Sequence, residues 1–280
     1  MAKILSGKEV VASLNEKLRA EAQRLRQAGI EPTLAIVRLG ERADDISYER
    51  GAMKRAETVN VAVRQFVMPA QTSQQELLEL IRQINADSSL HGLLLFRPLP
   101  KHIDEDAVRA AIDPAKDVDG VTDLSLAGVF TGSGLGYPPC TAQACLETFD
   151  HYGIELKGQR VVMIGRSLVV GKPLAMMLLA RHATVTICHT RTVDMPAICR
   201  EAEIVIAAAG KAKVVGADFF APGQIVLDVG INVDEAGNLC GDADFAAAEQ
   251  VVEAITPVPG GIGTVTTSVL FKHVLAAASA

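Results

Sequence analysis

Short apolar runs rich in β-branched residues recur along this chain, and between them the apolar residues change to helical spacing. TLAIVRL, VAVRQFV and GLLLFRP occupy the first hundred residues, and RVVMIG, TVTIC, EIVIAAAG, QIVLDVG and VVEAITPV form a later series. Before the first of them lies GKEVVASLNEKLRAEAQRLRQAG, with Val10, Leu14 and Leu18 at helical spacing and Gly29 at its end. Helices are also expected over residues 45 to 58 and in QTSQQELLELIRQINAD, TAQACLETFDHYG and GKPLAMMLLARH. Strands alternating with helices predict an α/β fold with parallel sheets. LAGVFTGSGLGYPP, from Leu126 to Pro139, is rich in glycine and holds two prolines, so it reads as a linker or binding loop between the two series. The last stretch, GTVTTSVLFKHVLAAASA, reads as a helix apolar on one face that closes the second domain or returns to the first.

A length of 280 residues accommodates two domains, and 49% hydrophobic against 21% charged residues supports a sizeable core. With 27 Lys and Arg against 33 Asp and Glu, the net charge of -6 leaves no basic footprint for a nucleic acid. MAKILSGKEV lacks an apolar signal region and runs such as HGLLLF are too short to span a bilayer, so a cytoplasmic protein without membrane partners is expected. Cys140, Cys145, Cys188, Cys199 and Cys240 form no CxxC pair and no Cys/His cluster, which predicts free thiols and no metal site.

In RVVMIGRSLVVGKP, Gly165 ends an apolar strand and Pro173 stands near a helix start. Glycine there lets backbone approach a ligand, and the free N–H groups of the helix start attract phosphate. The spacing is G-x5-G rather than GxGxxG, and periodicity alone leaves a nucleotide site and a plain strand-to-helix turn equally open. After the next strand, where an NAD site usually offers an acid to the ribose, the chain has His189, Thr190, Arg191 and Thr192. Arg191 alone would read equally as a solvated loop charge, but Arg166 in the neighbouring turn adds a second cation, and the pair favours the 2'-phosphate of NADP over NAD.

GRSLVVGKP, AAAGK, DVGIN and TPVPGGIGTVT, preceded by PLP and KDVDG, together resemble the bifunctional methylenetetrahydrofolate dehydrogenase/cyclohydrolase family along nearly the whole chain. The resemblance implies two α/β domains with a cleft between them and a homodimer. Residues 1–125, completed by the C-terminal helix at about 264–280, would form the folate domain, and 140–263 a Rossmann-like cofactor domain. It implies cofactor contacts at Gly165, Arg166, Ser167, Thr190 and Ile231, to which the charge argument adds Arg191. Pro259, Gly260 and Gly261 resemble the folate-side loop, although the usual Pro-Met after Gly263 is replaced by Thr264-Val265. Tyr48 matches the tyrosine beside the pterin, and Asp119 the buried carboxylate, which can hold an amino-pyrimidine edge by paired hydrogen bonds. Asp113, Asp117 and Asp123 are expected to be solvated or capping.

Two positions depart from that pattern. The family's catalytic lysine falls four residues after the tyrosine, where this chain has Ala52, and Lys54 matches a second, non-catalytic lysine. On a helix Ala52 is about 40° round from Tyr48, Lys54 about 120° the other way and Arg50 about 160° off, so both cations read as surface charges. Phe96 stands where the family has a glutamine. It is expected to pack the core in any case, and strand alternation is expected to turn Arg97 away from its face. Hydride transfer mainly needs alignment and exclusion of water, whereas hydrolysis needs a positioned water and proton transfer. The expectation is an NADP-dependent methylenetetrahydrofolate dehydrogenase with little or no cyclohydrolase activity. A bifunctional enzyme, with Lys54 or another group reaching the water through a shifted helix, is the alternative. A non-catalytic folate or nucleotide sensor is a third, against which the intact GRS turn, DVGIN and PGG loop speak.

Overall fold

The computed structural model describes all 280 residues. They divide into two compact units, Leu14–Cys140 with Thr267–Ala280, and Met1–Ser13 with Thr141–Thr266. The chain opens with β1 (Lys3–Ile4) and α1 (Gly7–Gln27).

In the unit of residues 14–140 the order is β2 (Thr33–Leu39), α2 (Ala43–Val59), β3 (Ala62–Met68), α3 (Gln74–Ala86), β4 (Gly92–Leu95), α4 (Glu105–Ala111) and α5 (Asp123–Thr131). The strands form a parallel sheet in the order β3-β2-β4. β2 is buried along almost its whole length, as a central parallel strand covered on both faces must be. Its Val37 joins Leu77 and Ile81 of α3 and Leu93 of β4 in one apolar core. One buried acid fixes the rotation of α2 on this sheet. Glu49 pairs with Arg38 of β2 at 2.7 Å, both side chains nearly inaccessible, and also accepts from Gln65 of β3.

The stretch expected as a loop from Leu126 is in its first half helical. Asp117 is fully buried rather than solvated: it accepts hydrogen bonds from the N–H groups of Val121 and Thr122 and from the Ser125 hydroxyl. Thr122 then caps α5 by accepting from the Ser125 N–H. Gly128 lies inside the helix because a Cβ there would sit 1.9 Å from the Leu135 carbonyl oxygen. That glycine therefore records a close return of the chain, and composition alone could not separate it from a loop glycine.

Residues 141–266 continue from α6 (Cys140–Tyr152) through β5 (Arg160–Ile164), α7 (Gly171–Ala180), β6 (Thr184–Cys188), α8 (Met195–Arg200), β7 (Ile204–Ala207), β8 (Ile225–Asp228), β9 (Asn232–Val233), β10 (Leu239–Cys240) and α9 (Phe245–Glu249) to β11 (Ala254–Ile255). Six strands form a wholly parallel sheet in the order β1-β11-β8-β7-β5-β6, and β9 and β10 form a separate antiparallel pair. The chain runs from β5 outward to β6 and then back to the opposite side of β5 as β7. In such sheets this reversal opens a crevice beyond the carboxyl ends of the strands. β1 has no counterpart in the expected strands, since two residues carry no periodicity and become a strand only by pairing with β11.

α10 (Ile262–Ser279) is long and apolar enough to cross a bilayer, but more than half of it is buried inside the protein. Val265, Val269, Leu270, Phe271 and Val274 are its fully buried apolar side chains.

Candidate active site

Gly165 follows β5 at the strand reversal, with φ +122°, and a Cβ there would lie 2.1 Å from the Ala208 carbonyl oxygen. Only glycine fits this turn. Its N–H donates to the Cys188 carbonyl at 2.8 Å, which ties the end of β5 to the end of β6. Ser167 accepts from the Val170 N–H at 3.1 Å, ahead of α7, whose first turn has no side-chain cap. Gly165, Arg166, Ser167, His189 and Thr190 line one cavity of about 280 Å³. Arg191 lies on the adjoining turn and is exposed. No carboxylate lines the cavity; Arg166 does, and Arg191 is the chain neighbour of the lining Thr190. A dinucleotide with an extra phosphate fits this donor set, because anions favour open backbone N–H groups and guanidinium forks.

Ile231 falls outside that cavity. It lines a second one of about 150 Å³ together with Pro259, Gly260 and Gly261. Two buried acids that the sequence did not single out hold the surrounding loops. Asp228, at the end of β8, accepts from the N–H groups of Gly230, Asp242 and Ala243. Asp242 accepts from the Gly210 and Lys211 N–H groups and from the Asn232 amide, each at 2.9 Å. AAAGK and DVGIN are thus clamped to one another through carboxylates, and burial pushes Asp228 up to about 6. The only signal in the sequence was the aspartate in DVGIN and the GDAD run, neither of which has a distinctive spacing.

Within residues 14–140, Tyr48 and Phe96 meet edge to face with ring centroids 5.7 Å apart. The Tyr48 hydroxyl is hydrogen-bonded with Thr267 and lies near Asp119 and Cys140. Burial and those two acidic groups raise its pKa well above the ordinary phenol value, so it stays protonated. Two fifths of the residue is nevertheless exposed, which leaves ring surface free for stacking. Asp119 keeps some accessible surface, while burial pushes its pKa up to about 6. Asp117 raises it further, and Arg97 and a hydrogen bond with Cys140 act in the opposite direction. Cys140 itself is buried, donates to the Val118 carbonyl at 3.3 Å and is held neutral by burial and by Asp119. Tyr48, Phe96 and Asp119 therefore form one neighbourhood.

Ala52 is fully buried one turn along α2 from Tyr48, while Lys54 and Arg50 are exposed. Phe96 is buried but lies one residue past the end of β4, its N–H donating to the Val37 carbonyl at 3.0 Å. Because the strand has ended, alternation no longer governs the next residue. Arg97 pairs with Glu105 at 3.2 Å, and its charge acts on Asp119 from a distance.

The family model for the catalytic domain of tetrahydrofolate dehydrogenase/cyclohydrolase matches residues 5–119, and that for its NAD(P)-binding domain matches residues 139–280. A protein named Bifunctional protein FolD from Clostridioides difficile is 47% identical over 274 residues, covering 98% of this chain and 96% of the relative. Among solved structures, the bifunctional enzyme FolD-methylenetetrahydrofolate dehydrogenase/cyclohydrolase from Campylobacter jejuni superposes with a TM-score of 0.96 at 36% identity, covering 100% of this chain and 99% of that one. The Trypanosoma brucei methylenetetrahydrofolate dehydrogenase-cyclohydrolase, solved with NADP and an inhibitor, gives a TM-score of 0.91 at 32% identity, covering 99% and 97%.

Proposed function

This chain belongs to the tetrahydrofolate dehydrogenase/cyclohydrolase family, and from that premise we propose that it oxidises 5,10-methylenetetrahydrofolate to the 5,10-methenyl form and hydrolyses that product little or not at all. NADP, when bound, would supply the hydride acceptor. Gly165, Arg166, Ser167 and Thr190 would hold it, with Arg191 and Arg166 serving the 2'-phosphate, and Ile231 would add an apolar contact. Asp119 anchors the amino-pyrimidine edge of the folate, Tyr48 and Phe96 flank the pterin, and Pro259, Gly260 and Gly261 form a backbone rim for substrate. These side chains orient the donor carbon and exclude water, which is what hydride transfer asks of a protein.

Hydrolysis asks for more. Water must add to the methenyl carbon and lose a proton to a nearby group before the ring opens to the 10-formyl product. The observation that carries the proposal is Ala52: a buried methyl occupies the position one turn from Tyr48, and the neighbouring Phe96 ring has no atom that accepts a proton.

The test is spectrophotometric. With methylenetetrahydrofolate and NADP, methenyl product should accumulate in step with reduced nicotinamide and drain only as fast as in enzyme-free buffer. Ala52→Lys combined with Phe96→Gln should speed the drainage. Fast drainage by the unaltered chain would establish the bifunctional alternative, and absence of reduced nicotinamide would establish a binding protein.

A further inference from the structure

His273 of α10 is buried against the segment that carries Asp119. Its Nδ1 stands 2.8 Å from the Val118 carbonyl oxygen. A carbonyl only accepts, so Nδ1 carries a hydrogen and donates it. Tyr137 lies against the imidazole, with ring centroids 5.1 Å apart and planes 30° from parallel, and steadies its orientation. Val118 is the chain neighbour of Asp119, and both fall with His273, Tyr137 and Cys140 in the unit of residues 14–140 and 267–280.

The Cys140 thiol competes for the same carbonyl. Its sulfur lies 3.3 Å from the Val118 oxygen and 3.8 Å from His273 Nδ1, and it is also hydrogen-bonded with the Asp119 carboxylate. A thiol has one hydrogen to give, and a protonated Nδ1 has no lone pair to receive it. That hydrogen therefore goes either to Val118 or to Asp119. The backbone keeps all three groups together: the Cys140 N–H donates to the Asp119 carbonyl at 3.4 Å, and a Cβ on Gly120 would meet the Pro138 carbonyl carbon at 2.5 Å. Between the two donors, the imidazole N–H is the stronger and the S–H the weaker. With His273 in place the Val118 oxygen is satisfied, and the thiol hydrogen is free to turn to the carboxylate.

Resting on the folate reading of this unit, the geometry points to His273 as a positioning residue for substrate: by satisfying the Val118 carbonyl it leaves the Cys140 hydrogen to Asp119, whose ionised carboxylate holds the amino-pyrimidine edge. A hydrogen bond to the charged form of an acid favours that form. Without His273, the buried carbonyl would draw the thiol to itself, because a buried acceptor without a donor is costly. Asp119 would then ionise only at higher pH. The other groups that act on Asp119 are unaffected by His273: Asp117 on the same loop, Arg97 beyond β4 and the protonated Tyr48 on α2.

His273→Leu in the full chain removes the donor, and His273→Asn keeps one, since the asparagine amide nitrogen can take the place of Nδ1. In His273→Leu the acid limb of kcat/KM for methylenetetrahydrofolate should move up by about one pH unit, as for loss of one hydrogen bond to a carboxylate. Activity toward folate then drops about tenfold at pH 5 and little at pH 8, while the KM for NADP stays unchanged. His273→Asn should bring the limb back toward the parent. Cys140→Ala should raise the limb by itself, and adding His273→Leu to it should move the limb no further, because the effect runs through the thiol. Should leucine not be tolerated, His273→Gln, whose amide reaches one bond too far, should raise the limb likewise. A limb that stays in place in the histidine variants or in Cys140→Ala overturns the assignment, and so does a second full shift in the double variant. A uniform loss at every pH, alike for folate and NADP, would reduce His273 to a packing residue. An inactive parent chain would instead overturn the proposed reaction, and this assignment with it.

Discussion

Asp119 illustrates how surroundings give one side chain its chemistry. Largely withdrawn from water near Asp117, and only partly offset by Arg97 and by a hydrogen bond with Cys140, it is pushed up to about 6 from an ordinary value of 3.8. A carboxyl raised in the folded state binds protons more readily there than in the unfolded chain. Its stabilising contribution is therefore complete below about pH 4 and is lost as pH rises through about 6. Recognition of an amino-pyrimidine edge by two acceptor oxygens needs the ionised form, so kcat/KM for the folate should fall below pH 6. Asp119→Asn should remove that acid limb and raise the folate KM, and should flatten part of the decline in Tm between pH 4 and 6. Only part of the decline belongs to Asp119, because Asp228 is pushed up to about 6 as well. An acid limb that survives in Asp119→Asn would remove this carboxylate from substrate recognition. Tyr48 and Asp119 were legible in the sequence because each stands in a long resemblance, ISYERG and KDVDG.

At the scale of elements, α2 decides which residues the substrate side presents, and a side-chain network sets its rotation. Glu49, next to Tyr48, is held by Arg38 and Gln65 from two strands beneath the helix. Glu49→Ala leaves Arg38 buried without its acid and should lower the unfolding free energy by about 3–5 kcal/mol, measured by urea denaturation at neutral pH. The folate KM should rise in the same variant, since the Tyr48 flank is no longer locked. A change under about 1 kcal/mol would mean that backbone packing alone sets the helix rotation. Existence of α1, α2, α3 and α7 was readable from spacing, with Gly29 marking the end of α1, because those signals are local. α5 was not, since its Gly128 answers to Leu135 rather than to helix propensity. β1 is two residues long and owes its strand character to pairing across the sequence, whereas β11 falls inside the expected VVEAITPV run.

At the scale of the molecule, ligand linkage tests the proposed cofactor. NADP at a hundred times its Kd should stabilise the chain by about 2.7 kcal/mol, visible as a raised Tm, and NAD at the same concentration by clearly less. Arg166→Ala with Arg191→Ala should narrow that difference; an unchanged difference would place 2'-phosphate recognition elsewhere. The homodimer implied by the resemblance is checked by sedimentation, where a boundary at the mass of one chain would exclude it. By itself the sequence determined the α/β class, the parallel sheets and the glycine turn after β5. Each rests on short-range order: periodicity over one strand or helix, or a few residues at a strand end. Only the tertiary structure decided which charges are paired. Arg38 finds Glu49 and Asp228 meets three loop amides, while Arg55 is left half-buried with its Nε unpartnered. Burial and partnership depend on residues distant along the chain, and no local pattern records them.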